Sequence, residues 1–236
     1  MSRPQVIAHR GSSAVHPDNS WAAFEAAVAE GADSIECDVQ ATLDGVLVIR
    51  HDLTIGQARI ADLGFPEIQS RVPGVVVLPE LLKWAEDVRI DLLIEIKDPD
   101  AATAVAATVA SSRWREAVVV GSFHGPSLAQ VKAQAAQLRT SFLLGSVMAV
   151  ADIVRSAATY QVDSVHLCWE SRAPRPHRLL DHDVIGKLRR AGLGITLWHE
   201  EREDELRELV GLQPDAICTN TPAALRQIVD AFANRP

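Results

Sequence analysis

The chain has 236 residues, of which 47% are hydrophobic and 23% charged, with a formal net charge of −8. That length suits one α/β barrel, and the apolar content can bury a sizeable core. The acidic balance argues against a nucleic-acid binder, which needs a basic face, and three scattered cysteines, Cys37, Cys168 and Cys218, argue against a disulfide framework or a Cys-rich zinc site. An anionic substrate must therefore be met by local positive charge or by a metal. No apolar run approaches the roughly 18 residues of a membrane span, so no stable membrane anchor is expected. Met1 to Gln5 leads straight into Val6-Ile7-Ala8-His9 without the features of a signal peptide. A cytoplasmic location is the resulting expectation.

Short apolar runs alternate with helical stretches along the chain. Val6-Ile7-Ala8 reads as a strand and Ser20 to Glu30 as a helix. Ser34 to Val39 is a second strand, and Leu47 to Ile49 an extra extended piece after the turn signal Asp44-Gly45. Leu53 to Val77, punctuated by Gly56, Gly64, Pro66, Pro73 and Gly74, reads as a short irregular insertion. A helix from Pro79 to Asp87 follows, with proline at its first turn. Strands are then expected at Leu92–Ile96, Ala117–Val120, Thr140–Leu144, Ser164–Leu167, Gly194–Trp198 and Ala216–Thr219. Helices are expected between and after them, at 101–111, 126–137, 149–160, 183–191, 202–212 and 222–232. Eight strands alternating with eight helices predict a single (β/α)8 barrel of the TIM type over residues 1–236, with a doubly wound open sheet as the rival.

Polar residues gather at the C-terminal ends of the early strands: His9-Arg10-Gly11, Glu36 and Asp38, His51-Asp52, Glu95 and Lys97. Barrel enzymes carry their active sites on that face. Side chains two apart on a strand share a face, so Glu36 and Asp38 point one way and Ile35, Cys37 and Val39 the other. Three carboxylates converging in a barrel mouth cannot all stay ionised without a cation, and oxygen ligands suit Mg²⁺ or Ca²⁺. Glu36 and Glu95 could instead form structural salt bridges with Arg10 and Lys97. His9 and His51 can act as acid and base near neutrality.

The ordered elements His9-Arg10-Gly11, Pro17-Asp18-Asn19-Ser20, Gly31 to Val39, Asp44-Gly45, His51-Asp52 and Ile94-Glu95-Ile96-Lys97 resemble the signature of glycerophosphodiester phosphodiesterases. The resemblance implies a barrel, a Mg²⁺ or Ca²⁺ cofactor, and hydrolysis of a small glycerol phosphodiester to glycerol 3-phosphate and an alcohol. It implies Glu36, Asp38 and Glu95 as metal ligands, His9 and His51 as acid and base, and Arg10 and Lys97 as phosphate-binding residues. The chain departs from the family pattern at Asp18, where the family has Glu, and at Asn220, where it has Asp. The segment Leu53–Val77 is also short, and Leu78-Pro79-Glu80 stands where the family has Thr before its Glu. A lysophospholipid or sphingomyelin phosphodiesterase of the phospholipase D type, and a catalytically silent phosphate-binding barrel, are the competing readings.

Weaker candidates come later. Trp198 ends the seventh strand and reads as a wall of the site. The loop Trp169-Glu170-Ser171-Arg172-Ala173-Pro174-Arg175-Pro176-His177-Arg178 opens on the same face, and Trp169, Arg172 and Arg175 are candidates to meet an anionic or sugar-like leaving group. The run Glu200 to Glu205 reads as an acidic helix start.

Overall fold

The computed structural model describes residues 3–168, 173–180 and 182–233. In chain order, β1 (Gln5–His9), α1 (Trp21–Ala29), β2 (Ser34–Ala41) and β3 (Leu47–Ile49) come first. Then follow β4 (Thr54–Ile55), β5 (Ala58–Arg59), α2 (Phe65–Arg71), α3 (Leu78–Val88) and β6 (Asp91–Ile96). The regular alternation continues with α4 (Ala102–Ser111), β7 (Val118–Ser122), α5 (Gly125–Gln134), β8 (Arg139–Leu144) and α6 (Val150–Tyr160). It closes with β9 (Ser164–Cys168), α7 (His182–Arg190), β10 (Gly194–Trp198), α8 (Glu203–Gly211), β11 (Ala216–Thr219) and α9 (Pro222–Ala233).

Eight parallel strands run in the order β1-β11-β10-β9-β8-β7-β6-β2, and β2 pairs back onto β1. The sheet is a closed barrel, not the open doubly wound sheet. β3 pairs antiparallel with the upper end of β2. All eight barrel strands fall where the sequence places them. The insertion is less irregular than expected: β4 and β5 form a small hairpin and α2 is a further helix. Pro66, one of the residues that punctuate the segment, sits at the first turn of α2, where a missing N–H costs nothing. Ile60, Leu63 and Ile68 pack with Val48 into a satellite core there. No helix among the described residues is long and apolar enough to cross a membrane.

The strand faces divide as their parity requires. Ile35, Cys37, Val39, Ile94 and Ile96 face outward and pack with α1, α3 and α4. Val165, Leu167, Ile195, Leu197 and Ile217 do the same on the other side of the barrel. Inside, Ile7, Leu93, Ala216 and Cys218 form a small buried apolar cluster, with Val119 and Trp198 packed against it. Buried polar side chains, among them Ser34, Ser141 and His166, share the interior. His166, fully enclosed and 5.5 Å from the Trp198 ring, has its pKa pushed by burial down to about 3.

A three-residue pattern recurs at the N-terminal rim: Asp33-Ser34-Ile35, Asp163-Ser164-Val165 and Asp215-Ala216-Ile217. Each aspartate carboxylate accepts from a backbone N–H of the neighbouring strand, Val6 at 2.8 Å, Thr140 at 2.7 Å and Ile195 at 2.7 Å. Each aspartate N–H donates back to the carbonyl of that same residue, at 2.9, 3.1 and 2.9 Å. The result is a two-bond clamp that sets the register of three strand pairs. Asp163→Ala removes one clamp and is expected to cost about 1–2 kcal/mol. Urea unfolding should show a lower midpoint at unchanged slope, with Asp163→Asn, which can still accept, losing less.

Candidate functional site

The centre of the site follows from strand register. β2 presents Glu36, Asp38 and Gln40 on one face, and pairing with β6 sets Asp38 directly beside Glu95. One carboxylate oxygen from each of Glu36, Asp38 and Glu95 lies within 4.8 Å of the others, and all three residues are buried. The surroundings supply donors. The Arg10 N–H donates to Glu36 Oε2 at 3.0 Å, and Arg10 Nε lies 3.2 Å from Asp38 Oδ2. Lys97 Nζ lies 2.8 Å from Glu95 Oε1 and 3.6 Å from Asp38 Oδ1. Asn19 donates through Nδ2 to Asp38 Oδ2 at 2.9 Å and accepts the Asp38 N–H at 3.1 Å.

Of the salt bridges foreseen as an alternative, Lys97–Glu95 forms, whereas the Arg10 guanidinium pairs with Asp38 and Asp18 and reaches Glu36 only through its backbone N–H, and the cluster stays under-compensated. Burial, with Asp38 and Glu95 nearby, holds the Glu36 carboxyl well above the usual range. Burial and Asp38 push Glu95 up to about 7 against the opposing pull of Lys97. Asp38 Oδ1 is buried without a hydrogen-bond donor. Arg10 also spends part of its charge on Asp18, 3.0 Å away. A buried oxygen-only donor set with surplus negative charge fits a hard divalent cation.

The β1–α1 loop is bent to serve this cluster. Arg10 and Asn19 both have positive φ, 56° and 53°, uncommon for non-glycine residues. Those conformations aim the Arg10 N–H at Glu36 and both ends of the Asn19 amide at Asp38. Gly11, with φ 85°, lies so close to α1 that a Cβ would fall 2.6 Å from the Ala23 carbonyl carbon.

His9 lies beside the acids, with Nε2 4.0 Å from Glu36 Oε2 and Nδ1 2.7 Å from Asn220 Oδ1. Its ring stacks on His199 with centroids 4.7 Å apart at 18°, and approaches Trp198 at 5.5 Å. Burial, then the Arg10 and His199 charges, hold its pKa well below the ordinary value, against the Asn220 hydrogen bond. Glu201 Oε1 accepts from the Asn220 N–H at 3.1 Å and lies 2.9 Å from His199 Nδ1.

His51 follows β3, which pairs with β2 beyond the stretch that β1 occupies. Its turn is tied to the acidic strand: the Arg50 N–H donates to the Asp38 carbonyl at 2.8 Å, and Gln40 Nε2 donates to the Arg50 and Asp52 carbonyls at 2.7 and 2.9 Å. His51 Nδ1 lies 2.9 Å from Asp52 Oδ1. The acidic strand thus anchors both histidine-bearing segments, β1 at Glu36 and β3 from Val39 onward.

Of the later candidates, Trp198 joins the site through its contact with His9. Trp169 and Arg172 lie outside the described residues. Arg175 is exposed, precedes a 3₁₀ turn at Pro176–Leu179, and makes no ion pair with the acidic cluster. The loop is fastened to the start of α8 instead, by His177 Nδ1 to Glu205 Oε2 at 2.7 Å and Arg202 Nη1 to the Pro174 carbonyl at 2.9 Å. The reading of Glu200 to Glu205 as one acidic helix start needs correction. Only Glu203, Asp204 and Glu205 occupy the first turn of α8. Glu200 is buried against Arg202, and Glu201 turns to His199 and Asn220. Asn19 belongs to the motif Pro17-Asp18-Asn19-Ser20 and Gln40 shares strand parity with Asp38, and both signals are present in the sequence.

Residues 9–224 match the model of the glycerophosphoryl diester phosphodiesterase family. The chain belongs to that family. It is an enzyme of the phosphoric diester hydrolase class. A glycerophosphodiester phosphodiesterase of Caldanaerobacter subterraneus subsp. tengcongensis is 27% identical over 245 residues, covering 95% of this chain and 97% of the relative. The rat glycerophosphodiester phosphodiesterase 1 is 40% identical over 76 residues, 30% of this chain and 23% of the relative. Among solved structures, the Thermotoga maritima glycerophosphodiester phosphodiesterase superposes with a TM-score of 0.81 at 21% identity, covering 97% of this chain and 99% of that one. An Oleispira antarctica phosphodiesterase in complex with the product sn-glycerol-3-phosphate superposes at 0.80 with 19% identity, covering 97% of each chain. Those two structures establish the shared fold.

The raised pKa of Glu95 carries a stability consequence. A carboxyl with a folded pKa above its unfolded value binds its proton more tightly in the fold. Its contribution is present below about 4.5 and is lost as pH rises towards about 7. Metal-free protein should therefore lose thermal stability across that window, and Glu95→Gln should flatten the slope. Thermal melts in a chelating buffer series read it directly.

Proposed function

We propose that this chain is a divalent-metal-dependent phosphodiesterase that hydrolyses glycerophosphodiesters to glycerol 3-phosphate and an alcohol. The observation that carries the reading is the buried Glu36–Asp38–Glu95 triad, under-compensated by its own cations and bordered by His9. The three carboxylates would hold Mg²⁺ or Ca²⁺, which supplies positive charge to the phosphoryl oxygens. Arg10 and Lys97 add fixed positive charge at the mouth and hold phosphate oxygens. His9 and His51, both carried by segments paired to the acidic strand, divide the proton work. The neighbouring glycerol hydroxyl attacks first and expels the alcohol to give a cyclic phosphate, which water then opens; in each displacement one histidine takes the proton of the attacking group and the other returns one to the departing oxygen. Trp198 walls the substrate beside His9, and the loop bearing Trp169, Arg172 and Arg175 is the surface the leaving alcohol would meet. The sn-glycerol-3-phosphate bound to the Oleispira relative supports this product class.

One observation favours a lipid-type substrate as a second reading. Val15, Leu43, Leu53, Phe123 and Val147 are exposed on loops at the C-terminal ends of the strands. Parallel assays of glycerophosphocholine and lysophosphatidylcholine decide between the readings: faster turnover of the lipid would displace the first.

Glu36→Gln, Asp38→Asn and Glu95→Gln should each abolish most activity and weaken divalent-ion binding by calorimetry while circular dichroism stays unchanged. Activity that survives chelation in all three variants would sink the metal role. Replacing His9 or His51 by alanine should lower kcat at least about 100-fold. Wild-type turnover in either variant removes that histidine from the mechanism.

A further inference from the structure

A neutral imidazole carries its single proton on Nδ1 or on Nε2, and the partner of one nitrogen decides what the other offers. For His9 the partner is Asn220, whose Oδ1 lies 2.7 Å from Nδ1. That contact puts the proton on Nδ1 and leaves the Nε2 lone pair on the side of Glu36. An amide, however, presents oxygen on one side and NH₂ on the other. Turned over, Asn220 would donate to His9 Nδ1 and move the ring proton to Nε2.

Nothing in the immediate contacts of Asn220 forbids that turn. Ser13 Oγ lies 2.8 Å from Asn220 Oδ1 and 2.7 Å from the His9 carbonyl. Its single proton can go to the carbonyl, leaving the hydroxyl oxygen to accept from a turned-over amide. On the far side, Asn220 Nδ2 lies 3.5 Å from His199 Nδ1. If His199 were to direct a proton there, it would draw the amide oxygen away from His9. What prevents this is Glu201. Its Oε1 lies 2.9 Å from His199 Nδ1 and accepts the Asn220 N–H at 3.1 Å. A carboxylate only accepts, so it holds the Nδ1 proton of His199 for itself and fixes the Asn220 backbone as well. His199 in turn lies flat against the His9 ring at 4.7 Å.

We infer that Glu201 is a positioning residue that sets the tautomer of His9, by keeping the His199 proton from competing for the Asn220 amide oxygen. The inference rests on the reading of His9 as an acid–base residue. It extends that reading to two residues, His199 and Glu201, on the loop after β10.

The test is ¹⁵N-imidazole NMR near neutral pH combined with steady-state kinetics, on wild type, Glu201→Ala, Glu201→Gln and Glu201→Ala/Asn220→Asp. Wild type should show a protonated Nδ1 on His9. Glu201→Ala should shift the proton to Nε2 and lower kcat about 10–100-fold, the range typical of residues that orient a functional histidine, with KM nearly unchanged. Glu201→Gln keeps an accepting oxygen and should retain the wild-type tautomer and most of kcat. Asn220→Asp cannot present an N–H, so the double variant should recover the Nδ1 proton without Glu201. Glu201→Leu, of similar volume, gives the same reading if the alanine variant does not fold. An unchanged tautomer in Glu201→Ala overturns the inference, as does a double variant that stays at Nε2. Wild-type turnover in His9→Ala would overturn the acid–base reading instead, and the NMR signature would still decide what Glu201 does to the ring.

Discussion

Burying three carboxylates within 4.8 Å of one another at the end of a barrel strand pair is the constraint on which the rest of the site depends. Like charges in a dry setting repel strongly. The chain answers by aiming every nearby donor at them: the Arg10 backbone and side chain, the Lys97 ammonium and the Asn19 amide. Two of those donors require backbone conformations that cost energy, Arg10 and Asn19 at positive φ. The compensation still falls short, as the upward shifts of Glu36 and Glu95 show. A cluster that stays short of positive charge can accept a cation and, with it, a phosphate.

The barrel tolerates this because it separates stability from chemistry along its axis. At the N-terminal rim the Asp33, Asp163 and Asp215 clamps tie neighbouring strands by paired hydrogen bonds. Around the outside, strand and helix side chains form two extensive apolar clusters. The C-terminal mouth is then free to carry buried polar groups, and its loops to bend as the site requires.

The site has two halves of different origin. The acidic half is built by β1, β2 and β6 from the first hundred residues. The surroundings of His9 are built by the loops after β10 and β11: Trp198 and His199 against its ring, Asn220 on its nitrogen, and Glu201 behind both. They meet because β1 pairs with β11 to close the barrel. His9 belongs to both halves, with one nitrogen facing the acids and the other held by the end of the chain.

The acidic half was legible in the sequence because it rests on local rules. Alternation along a strand put Glu36 and Asp38 on one face, turn signals bounded the strands, and polar residues at strand ends marked the mouth. Such patterns report neighbours a few residues apart. The α2 helix escaped because a proline in a first turn looks like a breaker until the turn is seen. Beyond Trp198, the His9 surroundings escaped for a deeper reason. Asn220 lies 211 residues from His9 along the chain, and a glutamate beside a helix start reads as a dipole effect whichever way it faces. By itself the sequence determined the barrel, the parity of its strands and the chemical character of its mouth. Which residues hold His9, and from which side, was decided only when closure brought the last strand against the first, because no local periodicity carries information across that seam.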